Sequence, residues 1–150
     1  MTNFPILSSL ILIPTIGSIF LLFIKSTEKN NSIKYVALFT SLINFFLSLY
    51  LWKLFDNNIS DFQFVETRIW IKNFINYKVG VDGISMLFII LATFITPLCI
   101  ISVNNHVKIR LKEFLIAILL METLMIGVFC SLDLIIFYLF FEGGLIPMFL

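Results

Sequence analysis

The chain has 150 residues, of which 60% are hydrophobic and 13% charged, with a mean hydropathy of +1.07; a soluble domain carries roughly 25% charged and 45–50% apolar residues. That composition excludes an ordinary water-soluble domain and a disordered chain, and ten basic against nine acidic residues, a net charge of +1, argue against a nucleic-acid binder. Two cysteines are too few for a disulfide framework, which leaves an integral membrane protein.

A membrane-spanning helix needs about 20 mostly apolar residues. The chain offers five such stretches, predicted as helices at about residues 4–24, 34–54, 83–103, 112–131 and 133–150. Each is read as a helix because a lone segment in lipid has no other way to satisfy its backbone. The fold class is therefore all-α, a polytopic bundle of five transmembrane helices. The first stretch, uncharged from Phe4 to Ile24, lacks a basic leader and is too long for a signal peptide, so it is read as a retained helix. Between the second and third helices, Phe62–Ile71 (FQFVETRIWI) holds strand-forming residues suited to a strand or hairpin. Asp82 stands at the start of the third helix, an N-cap position. The turn Ser131–Asp133 joins the fourth and fifth helices. The fifth is still running at Leu150 with no stop signal, so the sequence is read as a fragment, or one piece of a split subunit, truncated inside that helix.

The loops set an orientation. Lys25, Lys29 and Lys34 fill the first loop, and Lys108, Arg110 and Lys112 the third. The second spreads its basic residues over a longer span and balances them with Asp56, Asp61, Glu66 and Asp82. The positive-inside rule puts loops one and three on the cytoplasmic or matrix side, and the N-terminus and second loop opposite.

Two carboxylates lie where charge is expensive. Glu142 is nine residues beyond Asp133 and Glu122 eleven before it, about 13 and 16 Å at 1.5 Å per residue. Both then sit near the middle of a core about 30 Å thick, where a charge costs at least about 2.5–3.5 kcal/mol. The short turn makes the two helices antiparallel neighbours, so the two acids are expected to face one interior. No basic residue follows Lys112. Either both acids are neutral, or a Lys or Arg comes from outside these 150 residues. An acid whose charge depends on a movable partner can relay protons; the plainer alternative is a protonated glutamate that glues helices together. Around Glu142, Pro147 deprives the Gly143 carbonyl of its helical partner, Gly143 and Gly144 leave room for close approach or water, and Tyr138 lies one turn earlier on the same face. Pro97 frees the Thr93 carbonyl beside Thr96, and Pro14 interrupts the first helix; both are read as structural kinks. His106 is read as a solvated loop residue. Cys99 and Cys130 lie at opposite ends of their helices, too far apart to pair. No metal-ligand spacing, phosphate loop or nucleophile elbow is visible.

These residues carry a resemblance. Val79–Pro97 (VGVDGISMLFIILATFITP) and Leu132–Leu150 (LDLIIFYLFFEGGLIPMFL), with Phe64-Val65-Glu66 and Trp70 in the second loop, resemble chain 4 of NADH:ubiquinone oxidoreductase, respiratory complex I, called chain M in bacteria. The likeness covers essentially the whole fragment but only about the first third of a family member. It implies a many-helix subunit with two inverted five-helix bundles, each with a broken helix. Glu142 matches the protonatable glutamate of the first bundle, whose partner is a lysine on a helix beyond Leu150. Glu122 matches a helix-four acid, while Tyr138, Gly143 and Pro147 support Glu142 on the reading of the residues given above. The implied function is proton translocation coupled to electron transfer from NADH to quinone. The chain itself would hold no redox centre, with NADH, FMN, iron–sulfur clusters and quinone in the wider complex. Implied partners are other complex I membrane subunits and the lipid bilayer, with no nucleic acid. The implied location is the mitochondrial inner membrane or a bacterial plasma membrane, with the N-terminus on the intermembrane-space or periplasmic side. The 25 Ile and 18 Phe against 3 Ala reflect A+T-rich codons, as in many mitochondrial genomes and some bacteria. Two other readings stand beside this one. A subunit of a standalone multisubunit cation/proton antiporter shares the fold, although the Gly143-Gly144 pair and the PMFL run favour the first reading. A non-transporting scaffold is the other.

Overall fold

The computed structural model describes residues 5–24, 31–59, 61–71, 75–103 and 110–149. Five helices follow in order: α1 (Ile6–Phe23), α2 (Asn31–Leu54), α3 (Gly83–Ser102), α4 (Leu111–Cys130) and α5 (Leu134–Phe149), with strands β1 (Gln63–Ile71) and β2 (Ile75–Val81) between α2 and α3. The bundle is the expected all-α one, with helix ends within a few residues of those predicted. Helices α1 to α4 are long and apolar enough to cross a membrane; α5 is as apolar but shorter, at 16 described residues. Lys25, Lys29, His106 and Lys108 of the sequence reading lie outside the described residues.

Helix α4 is the hub. It packs against α1, α2, α3 and α5, whereas α5 meets no other helix than α4 among the described residues. Close approach is set by small residues. A Cβ added to Gly17 of α1 would sit 2.9 Å from Thr40 of α2, and one added to Gly127 of α4 would sit 2.5 Å from the Phe140 ring of α5. Packing at such range replaces the hydrophobic drive that lipid does not supply.

Strands β1 and β2 form an antiparallel hairpin. Its pairing slips between Gln63 and Glu66, where Phe64 adopts the left-handed φ of 54°, as a bulge requires. The bulged end meets α1. Glu66 accepts hydrogen bonds from the Leu7 amide at 2.9 Å and from the Ser8 amide and hydroxyl. Those amides belong to the first turn of α1, whose N-cap residue, Pro5, has no side chain able to cap it. The hairpin thus supplies the missing cap, with a negative charge at the positive end of the helix. Leu132 donates its amide to the Lys78 carbonyl at 3.0 Å, which ties β2 to the α4–α5 turn. Asp82 is the N-cap of α3, its Oδ1 accepting from the Ser85 amide at 2.7 Å.

The opposite end is held by lysines. Lys112 Nζ, from α4, donates to the Leu22 and Ile24 carbonyls at the end of α1, both at 2.8 Å. Lys34 Nζ donates to the Ile101 carbonyl in the last turn of α3 at 3.3 Å. Both place positive charge at the negative end of a helix.

The core has three layers. One apolar cluster, near the hairpin, joins Ile6, Leu10, Leu51, Val79, Met86 and Ile126. A second, near the lysines, joins Leu21, Ile33, Ala37, Ile100, Leu115 and Leu119. Between them on every one of the first four helices lie the buried polar residues: Ser18 on α1; Ser41, Asn44 and Ser48 on α2; Thr93 and Thr96 on α3; Glu122 and Thr123 on α4.

Candidate functional site

The polar layer follows from helical spacing. Ser41, Asn44 and Ser48 recur at i, i+3 and i+7, so they line one face of α2. That face meets α3 and α4. Most hydroxyls in the layer turn back onto their own helix. Ser41 donates to the Leu38 carbonyl, Thr123 to that of Leu119 and Thr96 to that of Ala92. Such back-bonding makes hydroxyls tolerable where no water is at hand. Ser48 and Thr93 also join across the α2–α3 contact, oxygen to oxygen at 2.8 Å. Thr93 and Pro97, four positions apart on α3, are both buried.

At the centre stands Glu122. Its side chain is 3% exposed, and Asn44, which faces it, is fully buried. Asn44 Nδ2 donates to Glu122 Oε1 at 2.7 Å. Two atoms of the pair, Asn44 Oδ1 and Glu122 Oε2, are buried without a partner among the described residues. Helices α1 and α3 carry no charged residue; Lys34, Lys53, Lys112 and Glu113 lie in the end turns of α2 and α4. No described cation therefore reaches the depth of Glu122, and its partner is neutral. Sequence reasoning missed Asn44. The signal that would have found it is the Ser41–Asn44–Ser48 stripe in an otherwise apolar span.

The second acid lies elsewhere. Glu142 is exposed, as is Tyr138. The two lie one turn apart on α5. The expected shared interior for Glu122 and Glu142 is corrected here. Helix α5 packs on α4 through the stripe Ile136, Phe140, Gly143 and Pro147, with the Phe140 ring over Gly127 and Gly143 against Leu124. At about 100° per residue, implied by 3.6 residues per turn, Glu142 falls well off that stripe and away from the bundle. Gly144 has open space beside it, with nothing within 4 Å of an added Cβ. Cys99 is exposed and Cys130 buried, both as free thiols.

Beyond the membrane-spanning segments, Tyr77 and Asp82 stand out. Burial pushes the Tyr77 phenol above its ordinary value, and its hydroxyl lies 3.4 Å from Ser8 Oγ at the Glu66 cap. The Ser85 amide holds the Asp82 carboxyl below the usual range.

Known proteins resemble this chain in sequence. The family profile described as NADH-ubiquinone oxidoreductase chain 4, amino terminus, matches residues 9–128. The chain is 48% identical over 145 residues to NADH-ubiquinone oxidoreductase chain 4 of Marchantia polymorpha and 49% identical over 145 residues to that of Arabidopsis thaliana. In each case the match covers 96% of this chain and 29% of the relative. It is 56% identical over 117 residues to NADH-quinone oxidoreductase subunit M of Rhodobacter capsulatus, covering 78% of this chain and 22% of that protein. The chain thus spans less than a third of the length of these curated relatives.

Proposed function

The chain belongs to the NADH-ubiquinone oxidoreductase chain 4 family, and we propose that it is the amino-terminal part of a proton-translocating membrane subunit of NADH:quinone oxidoreductase. In this reading electron transfer from NADH to quinone occurs on other subunits, where NADH, FMN, iron–sulfur clusters and quinone bind. This chain contributes protonatable side chains. The observation that carries the reading is Glu122, an acid held in a polar layer between two apolar clusters of a membrane bundle. Intramembrane acids are costly and mark proton relays.

Glu142 is the second proton carrier and the principal one. Its outward face on α5 suits a partner from the remainder of the subunit, because relatives of this chain are more than three times the matched length. A cation brought against Glu142 favours its charged form, and withdrawal of that cation favours proton uptake. Tyr138, one turn earlier, offers the carboxylate a hydroxyl; Pro147 leaves the Gly143 carbonyl free to accept. The lysine-bearing end, with Lys34 and Lys112, faces the matrix or cytoplasm by the positive-inside rule. The hairpin and the N-terminus then face the intermembrane space or periplasm, in the mitochondrial inner membrane or a bacterial plasma membrane.

The test is affinity purification of the full-length subunit from membranes. The expected result is co-purification with NADH:quinone oxidoreductase activity and with other membrane subunits of that complex. Purification as an assembly that exchanges cations for protons without oxidising NADH would overturn the reading.

A further inference from the structure

The donors around Glu122 can be counted. Asn44 spends one amide hydrogen on Glu122 Oε1. Ser41, Thr96 and Thr123 spend their hydroxyl hydrogens on carbonyls of their own helices. Ser48 and Thr93 share theirs between each other and the carbonyls of Phe45, Ile89 and Ile90. Two acceptors remain, Asn44 Oδ1 and Glu122 Oε2, on two side chains already joined at 2.7 Å. A buried acceptor left unpaired is destabilising, and more so when it is charged. The charged groups of the elements around it do not answer that need. Helices α1 and α3 have none, those of α2 and α4 are in the end turns, and Glu142 of α5 faces away.

One added proton resolves both orphans. A carboxylic acid at Glu122 turns Oε2 from an acceptor into a donor, and Asn44 Oδ1 is the acceptor on the side chain already bonded to it. An amide and an acid then complement each other in two directions: Nδ2–H to Oε1 and Oε2–H to Oδ1.

We propose that Asn44 is a positioning residue for Glu122, and that the amide and the acid hold one proton between them across the α2–α4 contact. This rests on the reading of Glu122 as a proton carrier and adds the group that orients it. When the proton leaves, Oε2 becomes an acceptor again and the amide has only its two N–H groups to offer. The orientation of Asn44 therefore follows the protonation of Glu122, and α2 senses the state of α4.

The test is infrared spectroscopy of the full-length subunit in its assembled complex, in H2O and D2O at neutral pH. The expected result for Glu122→Gln is loss of one deuterium-sensitive carboxylic-acid C=O band. Asn44→Leu is expected to retain that band and move it to higher frequency, as a carbonyl freed from its donor does. Ser48→Ala, which leaves Asn44 in place, is expected not to move it. Should Asn44→Leu prevent assembly, Asn44→Ala removes the same two polar atoms with less apolar bulk. Loss of carboxylate bands instead of an acid band in Glu122→Gln would overturn the proposal, as would a C=O frequency indifferent to Asn44. If Glu122→Gln loses the acid band yet pumps normally, the shared proton stands and the role of Glu122 in translocation falls.

Discussion

Asn44 of α2 and Glu122 of α4 meet at 2.7 Å in the middle of the bundle, 78 positions apart in sequence and both sealed from the surface. The contact favours one α2–α4 register, because sliding either helix by one turn would set Ser41 or Ser48 against the carboxyl group, and both hydroxyls already donate to carbonyls of α2. Removing one partner leaves the other unpaired. Glu122→Ala is therefore expected to destabilise the bundle by about 2–5 kcal/mol, from the orphaned amide together with the cavity. Glu122→Gln, which keeps volume and acceptor, is expected to cost less than about 1.5 kcal/mol. Thermal or denaturant unfolding of the two variants in one detergent checks the ranking; equal losses would contradict it.

Glu66 caps α1 from a distant hairpin. Removing an N-cap acceptor costs about 0.5–2 kcal/mol. Glu66→Ala is expected to free the Leu7 and Ser8 amides and to raise their hydrogen-exchange rates, with the α4 amides unchanged. Protection retained at both positions would show that the cap is dispensable.

Asp82 gives a pH signature. Its folded-state carboxyl titrates below the ordinary value because it accepts from the Ser85 amide. A depressed carboxylate contributes stability that is present above its unfolded value, about 3.9, and lost as pH falls through the lower folded value. Acid unfolding of wild type and Asp82→Asn checks this. The difference in stability is expected to be constant from pH 7 to about 5 and to shrink below about 4, because Asn caps without titrating.

Much of this was legible in the sequence. The five apolar runs give the helices, because bilayer thickness fixes their length. The spacing of Asp82 ahead of α3 gives its cap, and the strand-forming run after Phe62 gives β1. Strand β2 also carries a signal, Ile75, Tyr77 and Val79 alternating with Asn76, Lys78 and Gly80, but its polar face reads equally as a solvated loop. The rotation of α5 was not legible. Helix α5 is apolar on every side, so no stripe marks its buried face; the steric fit of Phe140 over Gly127 decides it. Asn44 went unread for a related reason, since an uncharged polar residue barely lowers the hydropathy of its span.

Gly127 of α4 and Gly144 of α5 should respond in opposite ways. Gly127→Ala places a methyl group 2.5 Å from the Phe140 ring, whereas Gly144→Ala meets nothing within 4 Å. Overpacking costs about 1–3 kcal/mol, and a helical Gly→Ala change in open space gains about 0.5–1 kcal/mol. Unfolding measurements should therefore show Gly127→Ala destabilised and Gly144→Ala neutral or stabilised. Phe140→Leu is expected to recover part of the Gly127→Ala loss in a double-mutant cycle.

The central claim is that the acids on the membrane helices of this chain carry protons, Glu142 foremost. The most direct measurement is proton pumping coupled to NADH oxidation in sealed vesicles, with Glu142→Gln in the full-length subunit and complex assembly checked in parallel. Gln keeps the size and much of the hydrogen bonding of Glu but cannot ionise. The account predicts an assembled complex in which pumping and coupled turnover collapse. An assembled complex that pumps at the wild-type ratio would contradict it and leave Glu142 as a contact between helices.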